Sequence, residues 1–297
     1  MRVLLLGANG QLGTDLLRVL QAAGDTVVPV THAQVDVRAE DQVAQAIDQA
    51  KPEVVINTTA FHRVDECETK SGLAFEVNAT APMNMARICK RTGAVFVHFS
   101  TDYVFDGLKS TPYEETDLPA PVNAYGTSKV AGEHLVAAYT DRHFVIRTCG
   151  LYGVAGSSGK GGNFVETMLK KALAGDSIRV VDDQVLTPTF TSDLAEAVRS
   201  LILTGRFGLY QLSSEGQCSW YDFTRHIFES AGLDAKLAPV KSTEFPSPVR
   251  RPAYSVLSKA KFRSLGLSIP SWKDALPRYL QARAKKNPLP APAHVSS

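Results

Sequence analysis

Cysteine is scarce in this 297-residue chain: Cys67, Cys89, Cys149 and Cys218 stand far apart, with no C-x-x-C pair. That spacing argues against a zinc knuckle or a dithiol redox pair. At this chain length it also argues against a disulfide framework and fits a reducing compartment. An excess of charge is missing too. Lys and Arg number 32 against 30 Asp and Glu, a net +2, so nothing asks for nucleic acid or a membrane surface as partner. No apolar stretch approaches the ~20 residues that span a bilayer. The first residues, Met1-Arg-Val-Leu-Leu-Leu-Gly7, carry a four-residue apolar run, too short for a secretory core. A soluble, cytoplasmic protein is the expectation. What is present is a globular composition, 44% hydrophobic and 21% charged, in a chain long enough for about two domains of ~150 residues.

The apolar pattern alternates between two periods. Val3 to Leu6 is a continuous run, as expected of a strand buried on both faces of a parallel sheet. Leu12, Leu16, Leu17 and Leu20 then recur at helical spacing, with Gly24 as a stop. Strands over 26–30, 53–56, 94–99 and 144–146 alternate with helices over 40–50, 73–91 and 124–139. Pro82 is expected to kink or split the second of these, and Asn123 to cap the third. The rhythm predicts an α/β, Rossmann-like, doubly wound parallel sheet, with strand ends and loops gathered on one edge. After Thr148 the alternation breaks. A Gly- and Ser-rich loop over 150–162 precedes helices over 164–174 and 192–203, a short strand over 178–181, and helices near 221–231 and 272–284. Four prolines from Pro239 to Pro252 predict a loop-rich segment. The expected division is a dinucleotide-binding domain over 1–149, with 184–205 returning to it. A smaller α/β substrate-binding cap follows over 150–286, then a Pro- and Ala-rich disordered tail over 287–297.

Gly7-Ala-Asn-Gly10-Gln-Leu-Gly13 sits between a predicted strand and a predicted helix, the context a phosphate-binding loop requires. Gly7 suits a tight turn, Gly10 a close approach of backbone amides to a pyrophosphate, and Gly13 close packing of helix on strand. The helix N-terminus favours the phosphate charge. No acid ends the second strand; Thr31 and His32 stand there, with Arg38 near, so a 2′-phosphate is tolerated and NADPH is favoured over NADH. Asp36, followed by Val37, can accept from an adenine amino group or cap the next helix. Tyr125 and Lys129 are spaced i and i+4, which places phenol and ammonium on one helical face. An ammonium beside a phenol lowers the phenol's pKa and makes it a working acid or base. Thr101, after the fourth strand, lies on the ligand edge and can share a carbonyl oxygen with Tyr125.

The glycine loop, Asn57-Thr-Thr-Ala60, Ser100-Thr-Asp-Tyr-Val-Phe105 and Tyr125-x-x-x-Lys129 resemble the extended short-chain dehydrogenases/reductases. Ser100 to Gly107, Asn123-Ala-Tyr-Gly, Gly162 to Met168 and Arg250-Arg-Pro252 further resemble the dTDP-4-dehydrorhamnose reductase branch, in order from Met1 to about Ala284. The resemblance implies NADPH-dependent reduction of the 4-keto group of dTDP-4-dehydro-6-deoxy-L-mannose to dTDP-L-rhamnose. Tyr125 would donate the proton, Lys129 would hold the nicotinamide ribose and keep Tyr125 acidic, and Thr101 would bond the 4-oxygen. Asp102 would lie by the sugar, Gly10, Gln11 and Leu12 would contact the pyrophosphate, and Asp36 with Val37 the adenosine. Ala60, Phe61 and His62 would approach cofactor or sugar, and Asn163 and Arg251 the dTDP portion, Arg251 by charge-assisted bonds to the diphosphate.

One position departs from the family pattern. Gly150 stands where members often carry a tryptophan at the sugar site, so the pocket is either opened or filled by a neighbour such as Tyr152, and a related nucleotide-linked 4-keto sugar becomes an alternative substrate. Some members are described with Mg2+ at a carboxylate-lined dimer contact, where Asp15 and Asp193 would fall. No catalytic metal is expected, and a homodimer is compatible. Two rival readings remain: an epimerase or dehydratase that retains its NAD, and a non-catalytic NADP-binding regulatory subunit.

Overall fold

The computed structural model describes residues 1–156, 162–245 and 247–286. The first half alternates as the apolar periods require: β1 Arg2–Leu6, α1 Gln11–Ala22, β2 Thr26–Val30, α2 Glu40–Ala50, β3 Val54–Asn57, α3 Val64–Thr69, α4 Ser71–Phe75, a π-helical turn Glu76–Thr80, α5 Ala81–Thr92, β4 Val95–Thr101, α6 Ala124–Tyr139 and β5 His143–Thr148. The second half adds β6 Leu151–Tyr152, α7 Phe164–Leu173, β7 Ile178–Val181, β8 Val185–Leu186, β9 Thr189–Phe190, α8 Thr191–Leu203, β10 Gly208–Gln211, β11 Cys218–Ser219, α9 Trp220–Ala231, β12 Leu237–Val240, α10 Ala260–Arg263 and α11 Trp272–Lys286. The expected tail over 287–297 lies outside the described residues, as does part of the expected 150–162 loop.

Six strands form one sheet in the order β10-β5-β4-β3-β1-β2, and every pair is parallel. The strand order reverses between β1 and β3, so the loops leaving these two strands diverge to opposite faces and open a crevice at their carboxyl ends. Alternate residues fill two cores. Val3 and Leu5 of β1 join α1 and α8 through Leu16, Leu20, Leu194 and Val198 on one face. Leu4 and Leu6 join α2, α5 and α6 through Val43, Ile47, Met85 and Val136 on the other. A separate aromatic core of Tyr152, Phe190, Phe223 and Tyr279 holds the second half together.

Three local expectations change. The helix expected over 73–91 is a run of α4, the π turn and α5. Pro82 falls in the first turn of α5, where its missing N–H costs little, so the kink resolves as a change of winding. A sixth strand, β10, pairs with β5; its four residues carried no clear alternation. The segment packing on the sheet is α8 and β10, which runs past the expected 184–205, whereas β8 and β9 pair with β11 and β6 away from it.

Candidate active site

The crevice is a cleft of about 760 Å³, within the range of ligand pockets. One end is floored by Gly7, Asn9, Gly10, Gln11 and Leu12. Gly7 has φ +81, a left-handed turn that favours glycine. A Cβ on Gly13 would overlap the Gly7 carbonyl oxygen, so α1 can start this close to β1 only with glycine there. Gly10 caps α1 without a side-chain hydrogen bond, and no acid occupies the first turn. The amides of Gln11 and Leu12 thus face the cleft without a protein acceptor among the described residues. A helix N-terminus left uncapped at a cleft is a ready anion site. The Gln11 side chain instead reaches across to the Leu151 carbonyl at 3.0 Å and ties α1 to the second half.

Beyond β2, Thr31, His32, Asp36, Val37 and Arg38 line the far end. Thr31 gives its hydroxyl to Gln34. Asp36 is not the cap of α2, which begins after Ala39 without a side-chain cap. Its carboxylate takes a forked pair from Arg38, closest at 2.6 Å, and these bonds hold its pKa down at about 2. Both remain on the cleft wall.

Ala60, Phe61 and His62 follow β3 and also line the cleft. They are fixed by a residue the sequence reasoning passed over. Asn78, fully buried on the π turn, accepts from the Phe61 amide at 2.9 Å and donates to the Phe61 carbonyl at 3.0 Å. It also donates to the Ser128 hydroxyl at 3.0 Å, which in turn donates to the Tyr125 carbonyl. One amide side chain therefore registers the β3 loop against the first turns of α6. An asparagine in an otherwise amphipathic helical stretch was the only hint.

At the centre, Thr101, Asp102, Tyr125 and Lys129 share the cleft wall. Thr101 ends β4. Asn123 caps α6, accepting from the Gly126 amide at 2.8 Å and donating to the Arg250 carbonyl. A Cβ on Gly126 would overlap the Tyr103 carbonyl, so glycine lets the start of α6 settle onto the turn after β4 and brings Tyr125 to Thr101. α6 is pinned to the sheet by Arg147 of β5, which grips Glu133 with two bonds of 2.9 and 2.6 Å, both side chains buried.

The electrostatics differ from the expectation in one respect. Burial raises the Tyr125 phenol well above its ordinary range; a hydrogen bond with Thr101 opposes the rise and Asp102 adds to it. Lys129 is not among the largest influences on it. Burial dominates because both side chains are out of water, and burial also pulls Lys129 down to about 8, with Glu133 opposing. Tyr125 thus holds its proton rather than ionising. Asp102 is pushed up to about 6 by burial, against hydrogen bonds from Ser255 and Thr101; the Thr101 hydroxyl donates to its Oδ1 at 3.0 Å.

The second half supplies the other wall, including Gly150, Phe164, Leu186, Trp220 and Ser255. Gly150 has φ +57, and a Cβ there would lie 3.0 Å from Pro188 Cα and 3.1 Å from Thr187 O, so a large ring would not fit this backbone unstrained. Tyr152 does not fill the space: it lies in the aromatic core, stacked on Phe190. Trp220 and Phe164 pack at 4.4 Å between ring centroids on the cleft wall, and the sequence reading did not single them out. Two further expected ligand residues also make bonds within the protein. Asn163 caps α7 and donates to Gly153 O and the Tyr279 hydroxyl, so its amide is spent on the fold although it borders the cleft. Arg251 pairs with Asp65 of α3 at 2.9 Å and donates to Ser247; it clasps the rim and is not among the lining residues. Asp15 accepts from Thr191, and Asp193 takes a forked pair from Arg278. Among the described residues no group of three or more His, Cys, Asp or Glu could hold a metal, and no helix is long and apolar enough to cross a membrane.

Known proteins resemble this chain along most of its length. The family model described as RmlD substrate binding domain covers residues 1–285. The spore coat polysaccharide biosynthesis protein SpsK of Bacillus subtilis (strain 168) is 41% identical over 95% of this chain and 98% of that protein. A dTDP-4-dehydrorhamnose reductase of Burkholderia thailandensis is 37% identical over 93% of this chain and 97% of that protein. The crystal structure of dTDP-4-dehydrorhamnose reductase from Bacillus anthracis str. Ames in complex with NADP superposes with a TM-score of 0.90 at 36% identity, over 95% of this chain and 99% of that one.

Proposed function

The chain belongs to the RmlD substrate-binding-domain family, and from that premise we propose that it is an NADPH-dependent reductase of the 4-keto group of dTDP-4-dehydro-6-deoxy-L-mannose, giving dTDP-L-rhamnose. The observation that carries the reading is the convergence of Thr101, Tyr125 and Lys129 on one cleft whose floor is the uncapped N-terminus of α1. The glycine cradle fits a dinucleotide, since side chains at Gly7 and Gly13 would close it.

A nicotinamide cofactor held there supplies the hydride. The amides of Gln11 and Leu12, with the positive end of α1, take the pyrophosphate. Thr31, His32, Asp36 and Val37 border the adenosine, and Arg38 stands by for a 2′-phosphate. Ala60, Phe61 and His62 wall the passage to the reacting centre. There the Thr101 hydroxyl, given to Asp102 in the free cleft, turns to the ketone oxygen. As negative charge grows on that oxygen, Tyr125 gives it the phenolic proton: the O–H bond of Tyr125 breaks and that of the product alcohol forms. A phenol that holds its proton until then suits a donor better than an ionised one. Lys129 carries the positive charge that offsets the nascent phenolate. Asp102 faces the sugar.

The sugar itself rests on the wall near Gly150, whose lack of a side chain supports a second reading, a related nucleotide-linked 4-keto sugar. The test is loss of NADPH absorbance on adding dTDP-4-keto-6-deoxy sugars of both configurations, repeated with NADH. Purified protein that retained NAD and turned over without added reductant would sink the reductase reading in favour of an epimerase or dehydratase.

A further inference from the structure

Behind Lys129, on the side away from the cleft, lies a short chain of buried polar groups that the proposed chemistry does not use. Lys129 is 2% exposed. Among the described residues its only hydrogen-bonding partner is His98 Nε2, at 3.4 Å. His98, from β4, is fully buried, and its Nδ1 lies 3.4 Å from Asn57 Nδ2 at the end of β3. The orientation of the Asn57 amide is fixed. Its Oδ1 meets the Thr59 backbone amide at 3.0 Å and the Thr59 hydroxyl at 2.6 Å. A backbone N–H can only donate, so that atom must be the oxygen, and the atom facing His98 is the NH2 group.

The consequence runs along the chain. An amide NH2 donates, so His98 Nδ1 must accept. A neutral imidazole accepting at Nδ1 carries its proton on Nε2, and Nε2 points at Lys129. A lysine ammonium there meets a donor with a donor; a lysine amine accepts the imidazole N–H. We propose that Asn57 and His98 form a positioning pair that presents an N–H to Lys129 and favours its neutral amine, so that Lys129 readily passes a proton to the Tyr125 phenolate after each turnover. In that transfer an N–H bond of the ammonium breaks, the O–H of Tyr125 forms, and the electron pair left on Nζ accepts from His98 Nε2–H. Lys129 regains its proton from water.

Burial and Glu133 also act on the Lys129 charge, burial against the ammonium and Glu133 for it. Glu133, one turn along α6, is held by both arms of Arg147 from β5. Asp102, in the turn after β4, and Cys67 of α3 act on Tyr125. Tyr125 is itself the remaining titratable group on the α6 face, and Asn78 on the π turn carries no charge. Burial and Lys129 hold the His98 ring far below its ordinary value, so the ring is neutral, as the tautomer argument requires.

The role of Lys129 as proton source rests on the reductase reading, whereas the tautomer does not, so each can fail separately. Nitrogen-15 spectra of the histidine rings in the cofactor-free protein, with His98 assigned by its loss in His98→Gln, should show the Nε2–H form. An Nδ1–H form or an imidazolium overturns the proposal whatever the activity. Kinetically, reduction requires protonated Lys129, so kcat falls along an alkaline limb. Glutamine can accept from Asn57 and donate to Lys129, and His98→Gln should leave that limb in place. Leucine presents no donor, and His98→Leu should move the limb up by roughly half to one pH unit. A residue that merely packs would lower kcat evenly; a limb unmoved in His98→Leu overturns the proposal.

Discussion

Asp102 is the group whose replacement reports most directly on the cost of building this cleft. Its carboxyl is buried, forms no salt bridge among the described residues, and is pushed up from 3.8 to about 6 by burial. Because the folded pKa is raised, the folded state is penalised once the group ionises. The penalty is absent well below pH 3.8, grows as pH rises towards about 6, and is complete above it. At ~1.4 kcal/mol per tenfold change in proton affinity it amounts to about 3 kcal/mol at pH 8, of which about half is present at pH 5. Asn in place of Asp keeps an oxygen for the Thr101 and Ser255 hydroxyls and carries no charge. Asp102→Asn should therefore be more stable than the parent at pH 8, and the difference should shrink by about 1–2 kcal/mol on going to pH 5. Denaturant unfolding of the cofactor-free proteins, at matched pH values, measures the difference with all other titrations cancelled. A variant less stable at pH 8, or a difference flat between pH 5 and 8, would refute the claim that burial governs this carboxyl.

Further outcomes are expected. Tyr125→Phe should lower kcat by about 10²–10⁴-fold while leaving NADPH binding intact, as read by steady-state rates beside a cofactor titration. Gly13→Ala forces the Gly7 carbonyl aside and should abolish measurable NADPH binding before it abolishes folding, as shown by calorimetric titration beside circular dichroism. Arg147→Leu strands the buried Glu133 carboxylate and should cost about 3–5 kcal/mol in unfolding free energy; a loss below 1 kcal/mol would mean that water reaches Glu133.

What was legible in the sequence was local. The G-x-x-G-x-x-G loop and the Tyr125/Lys129 spacing lie within one loop and one helical turn, and their placement on the cleft follows from strand, turn and helix in order. What stayed hidden depends on partners distant in sequence. Asn163 and Arg251 bond Gly153, Tyr279 and Asp65 within the protein, and no spacing rule reveals that. The effect of Lys129 on Tyr125 was read from proximity in water, whereas burial sets both groups. Asn78 and His98 matter through contacts to residues 17 and 31 positions away. β10, four residues long, becomes a strand because β5 offers it an edge.

That edge bears on how the molecule can be cut. The natural-looking place to divide the chain, after Cys149, would leave the β5 ladder open along Phe144 to Arg147, which β10 pairs from beyond residue 207. It would also strip α8 from the apolar side of α1. Such a fragment would present raw backbone and greasy surface together, the combination that drives strand-to-strand self-association, so the first half of the chain is not expected to express as an independent module. Its completion waits on the last third of synthesis.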